Sequence, residues 1–146
     1  MTEAPRSDPR IARTLTFAML TAMNRTAREF AGRFGAAHDL ALPEWRCLMA
    51  LAAQPDASGE EVARLMGMDK MAVSRALRRL EDRGRVAASA DPAHRRRRLW
   101  QMTPDGWAVY DAIVPAALER DAAAFGDLGP AERAQVAAAL ARFMEG

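Results

Sequence analysis

SGEEVARLMGMDKMAVSRALRRLEDRGRV, residues 58–86, is the stretch whose reading decides the fold. Ser58 followed three residues later by Glu61 is the pattern of a capping box at a helix start. The helix it opens carries Val62, Ala63 and Leu65 and ends at Gly67. Asp69 then caps a second helix that runs through Arg83. Its buried face takes Val73, Ala76, Leu77 and Leu80, and Gly84 stops it. Beyond Gly84 the period changes from helical to alternating. Residues 85–89 and 97–102 read as two short strands, with residues 90–96 as the turn between them.

Two short helices joined by a tight glycine-containing turn and followed by a hairpin make a winged helix-turn-helix. The fold class expected is mainly α with a small β-hairpin wing. Upstream, residues 9–34 carry two apolar stripes at helical spacing. One is Ile11, Leu15, Ala18 and Ala22; the other is Phe17, Leu20, Met23, Ala27, Ala31 and Phe34. A helix apolar on two faces needs two partners, its own core and something else. Gly35 is the expected stop, and residues 1–9 are expected to be frayed. Leu42-Pro43 opens the next helix, to about Ala53, with Pro43 at the first helical position. Downstream, Thr103-Pro104 starts a helix to about Phe125, which Pro115 is expected to kink or interrupt. Residues 126–130 are a turn, and Val136, Leu140 and Phe143 mark a last amphipathic helix.

Charge is unevenly spread. From Lys70 to Arg98 ten basic residues stand against three acids (Glu81, Asp82 and Asp91), which is +7. The whole chain is +2, so the remainder carries −5. One basic segment on an otherwise acidic chain is the footprint of a phosphate-binding surface. With Val73, Leu77 and Leu80 facing inward, the second helix offers Lys70, Met71, Ser74, Arg75 and Arg78 outward. Arg75 is the expected base reader, because its planar fork can pair with guanine. Lys70 and Ser74 suit phosphates or base edges, and Arg78 and Arg79 reach phosphates. The wing adds Arg95, Arg96, Arg97 and Arg98. Arg95 or Arg96 at the tip is expected in a minor groove, with Arg97 and Arg98 on phosphates or on an internal acid such as Asp91. Ser58, at the head of the first helix of the pair, completes the DNA-facing set. Double-stranded DNA is the partner these residues predict.

Other classes fit less well. His38 and His94, far apart in the chain, have no metal spacing, and there is no glycine-rich phosphate loop. Neither an enzyme nor a metal or cofactor is expected. A protein-binding winged helix would not need a basic helix face beside an arginine wing. No run of eighteen apolar residues appears, so no membrane partner is expected. The start, MTEAPRSDPR, lacks the apolar core of a secretory signal, and Cys47 has no cysteine to pair with. A cytoplasmic location is the expectation.

Four segments together resemble the MarR family of multiple-antibiotic-resistance-type regulators. They are LPEWRCLMALA (42–52), the 58–86 stretch, DPAHRRRRLWQMTPDG (91–106) and LGPAERAQVAAALARF (128–143). The resemblance implies a homodimer on a pseudo-palindromic operator, built from residues 1–34 and 104–146 around a DNA-binding region at 35–103. Ile11, Leu15, Ala18, Val136, Leu140 and Phe143 would line the dimer interface. It also implies repression, released by a small, often aromatic, anionic effector at the seam of the two parts. The matching residues here are Phe17, Met23, His38, Trp45, Arg46, Trp107 and Tyr110, with Trp45 and Arg46 suited to stack on and neutralise an aromatic acid. Some relatives sense oxidants through a cysteine, and Cys47 is the only candidate, set among Leu48, Met49 and Leu51. One departure stands in the wing: where the family has an aspartate before its paired arginines, this chain has His94.

Overall fold

Thr14 divides the first helical stretch. Its hydroxyl accepts a hydrogen bond from the Phe17 N–H at 3.1 Å, and its backbone is extended. A 3-10 turn, Pro9–Arg13, therefore stands before it, and α1, Leu15–Phe30, begins after it. The structure is a computed structural model that describes residues 8–145; residues 1–7 of the expected frayed start lie outside the described residues. Asp8 already caps the 3-10 turn, accepting from the Arg10 N–H at 2.9 Å. Gly35 does not stop the helix. The chain widens into a π-turn, Ala31–Gly35, and continues as α2, Ala36–His38. Asp39, left-handed at φ 45°, ends it. Gly35 serves a close approach instead: a Cβ there would stand 3.2 Å from the Leu40 carbonyl oxygen.

The helix-turn-helix forms as its signals dictate. After α3, Leu42–Ala53, comes α4, Gly59–Met66, with the Ser58–Glu61 box closed in both directions. Gly67 at φ 61° ends α4, and Asp69 caps α5, Lys70–Asp82, by accepting from the Ala72 N–H at 3.0 Å. Leu48, Leu51, Val62, Val73, Leu77 and Leu80 are fully buried where these three helices meet. Deleting a side chain there would cost about 2–5 kcal/mol, so this core sets the angle at which α5 is presented.

The sheet differs from expectation in two ways. It has three antiparallel strands in the order β1-β3-β2: β1 is Ala57–Ser58, β2 is Val86–Asp91 and β3 is His94–Met102. β1 is two small residues, too short for a periodic signal, and it exists only because Trp100 and Leu99 of β3 pair with it. The hairpin is also longer and its turn tighter than residues 90–96. Asp91 accepts from the Ala93 N–H at 2.9 Å, a local bond that closes a turn over Pro92-Ala93. His94 then pairs with Asp91, but the next pair is Ala90 with Arg98. Arg95, Arg96 and Arg97 are thus extra residues on one strand, a bulge of arginines.

The wing is pinned at its base. The Thr103 N–H donates to the Arg85 carbonyl at 3.1 Å, and the Thr103 hydroxyl to Gly84 at 2.6 Å. Gly106 follows because a Cβ there would overlap the Arg85 carbonyl oxygen. Helix α6, Pro104–Phe125, is not interrupted at Pro115. The chain divides into a compact unit ending at Tyr110 and another beginning at Asp111. The second holds the rest of α6 and α7, Pro130–Glu145, joined by Arg133, which donates to the Phe125 carbonyl at 2.8 Å. No described helix is long and apolar enough to cross a membrane.

Candidate nucleic-acid interface

Helix α5 exposes a ridge flanked by two clefts. On one side Arg75 and Arg79, one turn apart, face the start of α3 at Ala41, Pro43 and Glu44, across a cleft of about 360 Å³. On the other, Lys70 and Ser74 face the wing and α4 across a larger cleft of about 1060 Å³. Arg78 lines both. Met71, in the first turn, is 63% exposed. The larger cleft is walled by Arg64 of α4 and by His94, Arg96, Arg97 and Arg98 of β3. Arg64 escaped the sequence reading; its signal was its place two residues after Val62 and one after Ala63, on the outward side of α4.

The ten basic residues of the segment fall into two sets. Arg75, Arg78, Arg79, Arg95 and Arg96 are exposed and make no ion pair with the described residues. The other five have internal partners. Arg83 pairs with Asp39 at 2.9 Å and with the buried Glu44 at 3.2 Å. Arg85 donates to the carbonyls of His38 and Asp39, tying the end of α2 to the end of α5. Lys70 Nζ sits 2.8 Å from Glu60 Oε1, which holds the Glu60 carboxyl below its ordinary range and raises the lysine. Both side chains are solvent-exposed, so the pair is weak and can open to a phosphate.

Arg97 and Arg98 also turn inward. Arg97 Nη2 lies 2.8 Å from Glu61 Oε1 and donates to the Ser58 hydroxyl at 3.1 Å, while its Nε is 3.7 Å from Asp91. The Ser58 N–H and then Arg97 draw the Glu61 carboxyl down to about 2. Arg98 Nη2 lies 2.6 Å from Glu81 Oε1, and its guanidinium sits 4.6 Å from the centre of the Trp100 ring. Ser58 stands at the foot of the same cleft. It is buried, and its hydroxyl is taken up by the cap of α4 and by Arg97.

The residues considered for an effector are only partly together. Trp45 contacts Tyr110 with ring centres 5.5 Å apart, and Tyr110 meets Trp107 edge-on at 5.5 Å. Phe30 stacks on Trp45 at 6.1 Å and meets Phe34 at 6.0 Å. Trp45 is 6% exposed, so its ring is packed by the chain's own aromatics. Arg46 is half-buried beside it, His38 ends α2, and Phe17 and Met23 are exposed on α1. Cys47 is fully buried, and burial, with Glu44 one turn away, pushes its thiol up to about 12.

The sequence profile of the MarR family matches residues 38–97. Among curated proteins nothing matches the chain. Among solved structures, it is similar to BpsR of Bordetella bronchiseptica, whose DNA binding is regulated by 6-hydroxynicotinic acid. The identity is 30% and the TM-score 0.72, over 88% of this chain and 97% of that one. A probable transcriptional regulator from Pseudomonas aeruginosa is 30% identical with a TM-score of 0.72, over 92% and 99%. MepR of S. aureus in its DNA complex is 18% identical with a TM-score of 0.77, over 90% and 95%, which shows shared fold alone.

Proposed function

The chain belongs to the MarR family of transcriptional regulators, and from that premise we propose that it binds a pseudo-palindromic operator as a homodimer and represses until an aromatic acid releases it. The observation that carries the DNA reading is the set of unpaired arginines. Arg75 and Arg79 on α5 line the smaller cleft, Arg78 lines both, Arg96 of the wing lines the larger, and Arg95 is exposed beside it in the chain. Helix α5 enters a major groove, and the wing tip reaches along the duplex. The dimer reading rests on the apolar residues left bare in one chain: Ile11, Leu15, Leu20 and Met23 in the first unit, and Val136, Leu140, Phe143 and Met144 in the second. Paired recognition helices must sit about 34 Å apart to enter successive grooves, which gives a ligand something to disturb.

The effector reading is supported by BpsR, whose regulator is an aromatic acid. In this chain the candidate seat is the Phe30–Trp45–Tyr110 cluster with Arg46 as the neutralising cation, and a ligand would enter by displacing one of those rings. A ligand releases DNA only to the extent that it prefers the DNA-free conformation; a hundredfold loss of affinity needs about 2.7 kcal/mol of coupling. The experiment is selection of a binding site from random duplexes, followed by titration of nicotinic, hydroxynicotinic and salicylic acids. Release of wild type at up to millimolar acid, blunted in Arg46→Ala, supports the seat. Equal release of both removes Arg46 from it. No selected sequence at all would remove the sequence-specific reading. A redox-sensing role for Cys47 is disfavoured by its burial and raised thiol.

A further inference from the structure

The wing arginines are adjacent, yet they do not share a job. Arg95, Arg96 and Arg97 lie in the bulge between the pairs Asp91–His94 and Ala90–Arg98. A bulge loosens the ladder at the point where the wing needs to be stiff. The site offers a replacement for the lost cross-strand pairing. Arg97 reaches Glu61 and Ser58 at the head of α4 and Asp91 on the opposite strand. Arg98 reaches Glu81 in the last turn of α5 while lying on Trp100. The two cations thus tie the hairpin to both helices of the helix-turn-helix, and the acids they meet are partly withdrawn from solvent.

We propose that Arg97 and Arg98 are positioning residues that brace the wing against α4 and α5, leaving Arg95 and Arg96 as the only wing arginines to contact DNA. This rests on the DNA-binding reading above. His94 offers the tip no carboxylate, and the anchoring acids are Glu61 and Glu81. Arg97 and Arg98 act as struts because a guanidinium can make several directed bonds at once, as Arg97 does to Glu61 and Ser58 while its Nε stays in ion-pair range of Asp91.

The test is a charge-reversal cycle at the Arg98–Glu81 pair, read as affinity for the selected operator and as the slope of log affinity on log salt. Glu81 caps no helix start, so reversing it spares the folding signals that Glu61 serves. The brace predicts that Arg98→Glu and Glu81→Arg each weaken binding by about tenfold, and that the double reversal recovers to within about threefold of wild type. The sign for Glu81→Arg is diagnostic: it adds positive charge beside DNA, so simple attraction predicts tighter binding. The brace also predicts that Arg97→Ala and Arg98→Ala leave the salt slope unchanged, where a phosphate contact would remove about 0.9 each. Tighter binding by Glu81→Arg, or a slope reduced by about one unit in either alanine variant, overturns the proposal. Should the double reversal melt far below wild type, the alanine slopes decide alone. Absence of any wild-type binding would instead sink the DNA-binding reading.

Discussion

Arg75 is exposed on α5 and makes no ion pair with the described residues, while Lys70 on the same helix is held by Glu60. A guanidinium with no internal partner breaks no ion pair on turning to a base edge. Arg75→Ala is expected to cost about 1–3 kcal/mol on the selected operator and little on random duplex; equal losses on both would make it a phosphate contact. Glu61 supplies a pH signature. Its folded value of about 2 lies below the ordinary glutamate range, so its contribution to stability is complete above roughly pH 4.3 and is lost as pH falls toward the folded value. Glu61→Gln should therefore flatten the loss of urea resistance between about pH 5 and pH 2, measured as the unfolding midpoint. A wild-type slope in the variant would place the acid sensitivity elsewhere. Cys47 completes the residue scale: with its thiol at about 12, it should resist a maleimide at pH 8 in the folded protein and react once urea unfolds it. Rapid labelling of the native chain would reopen the redox reading.

At the scale of elements, the capping box at Ser58 and the Asp69 cap place α4 and α5 where local chemistry says they should start. The wing is where local reasoning ran out. Alternation along a strand puts neighbouring arginines on opposite faces, but it assumes an unbroken ladder, and the bulge at residues 95–97 removes that assumption. If Arg95 and Arg96 are the two wing cations that reach phosphate or groove, replacing both with alanine should flatten the salt slope by about two units. A slope equal to wild type would mean that the tip never touches the duplex.

For the whole molecule, the telling quantity is exposure of apolar side chains. Leu15 is 81% exposed and Ile11 62% in the first unit, and Met144 is 78% exposed in the second. An aspartate at a position already facing water costs a lone chain little, but it costs a dimer heavily if a partner covers it. If α1 lies in the proposed dimer interface, Leu15→Asp is expected to sediment as a monomer at low micromolar concentration where wild type sediments as a dimer, with loss of operator affinity. A variant that sediments and binds like wild type would clear α1 of any role in association.

The sequence alone determined the features written in short-range chemistry. Ser58 and Asp69 as caps, Gly67 and Gly84 as left-handed stops, the buried periodicity of Val73, Leu77 and Leu80, and the basic segment are all signals that act within a turn or two of helix. Local patterns could not say which cations are free. Arg83 and Arg85 belong to the same basic run as Arg75 and Arg79, yet their partners, Asp39 and Glu44 for one and the His38 and Asp39 carbonyls for the other, are some forty residues upstream. Strand β1 and the burial of Ser58 likewise arise from pairing with Leu99 and Trp100. An ion pair or a ladder bond depends on which groups the folded core brings within about 3 Å of each other, and that distance is set only after the helices have packed.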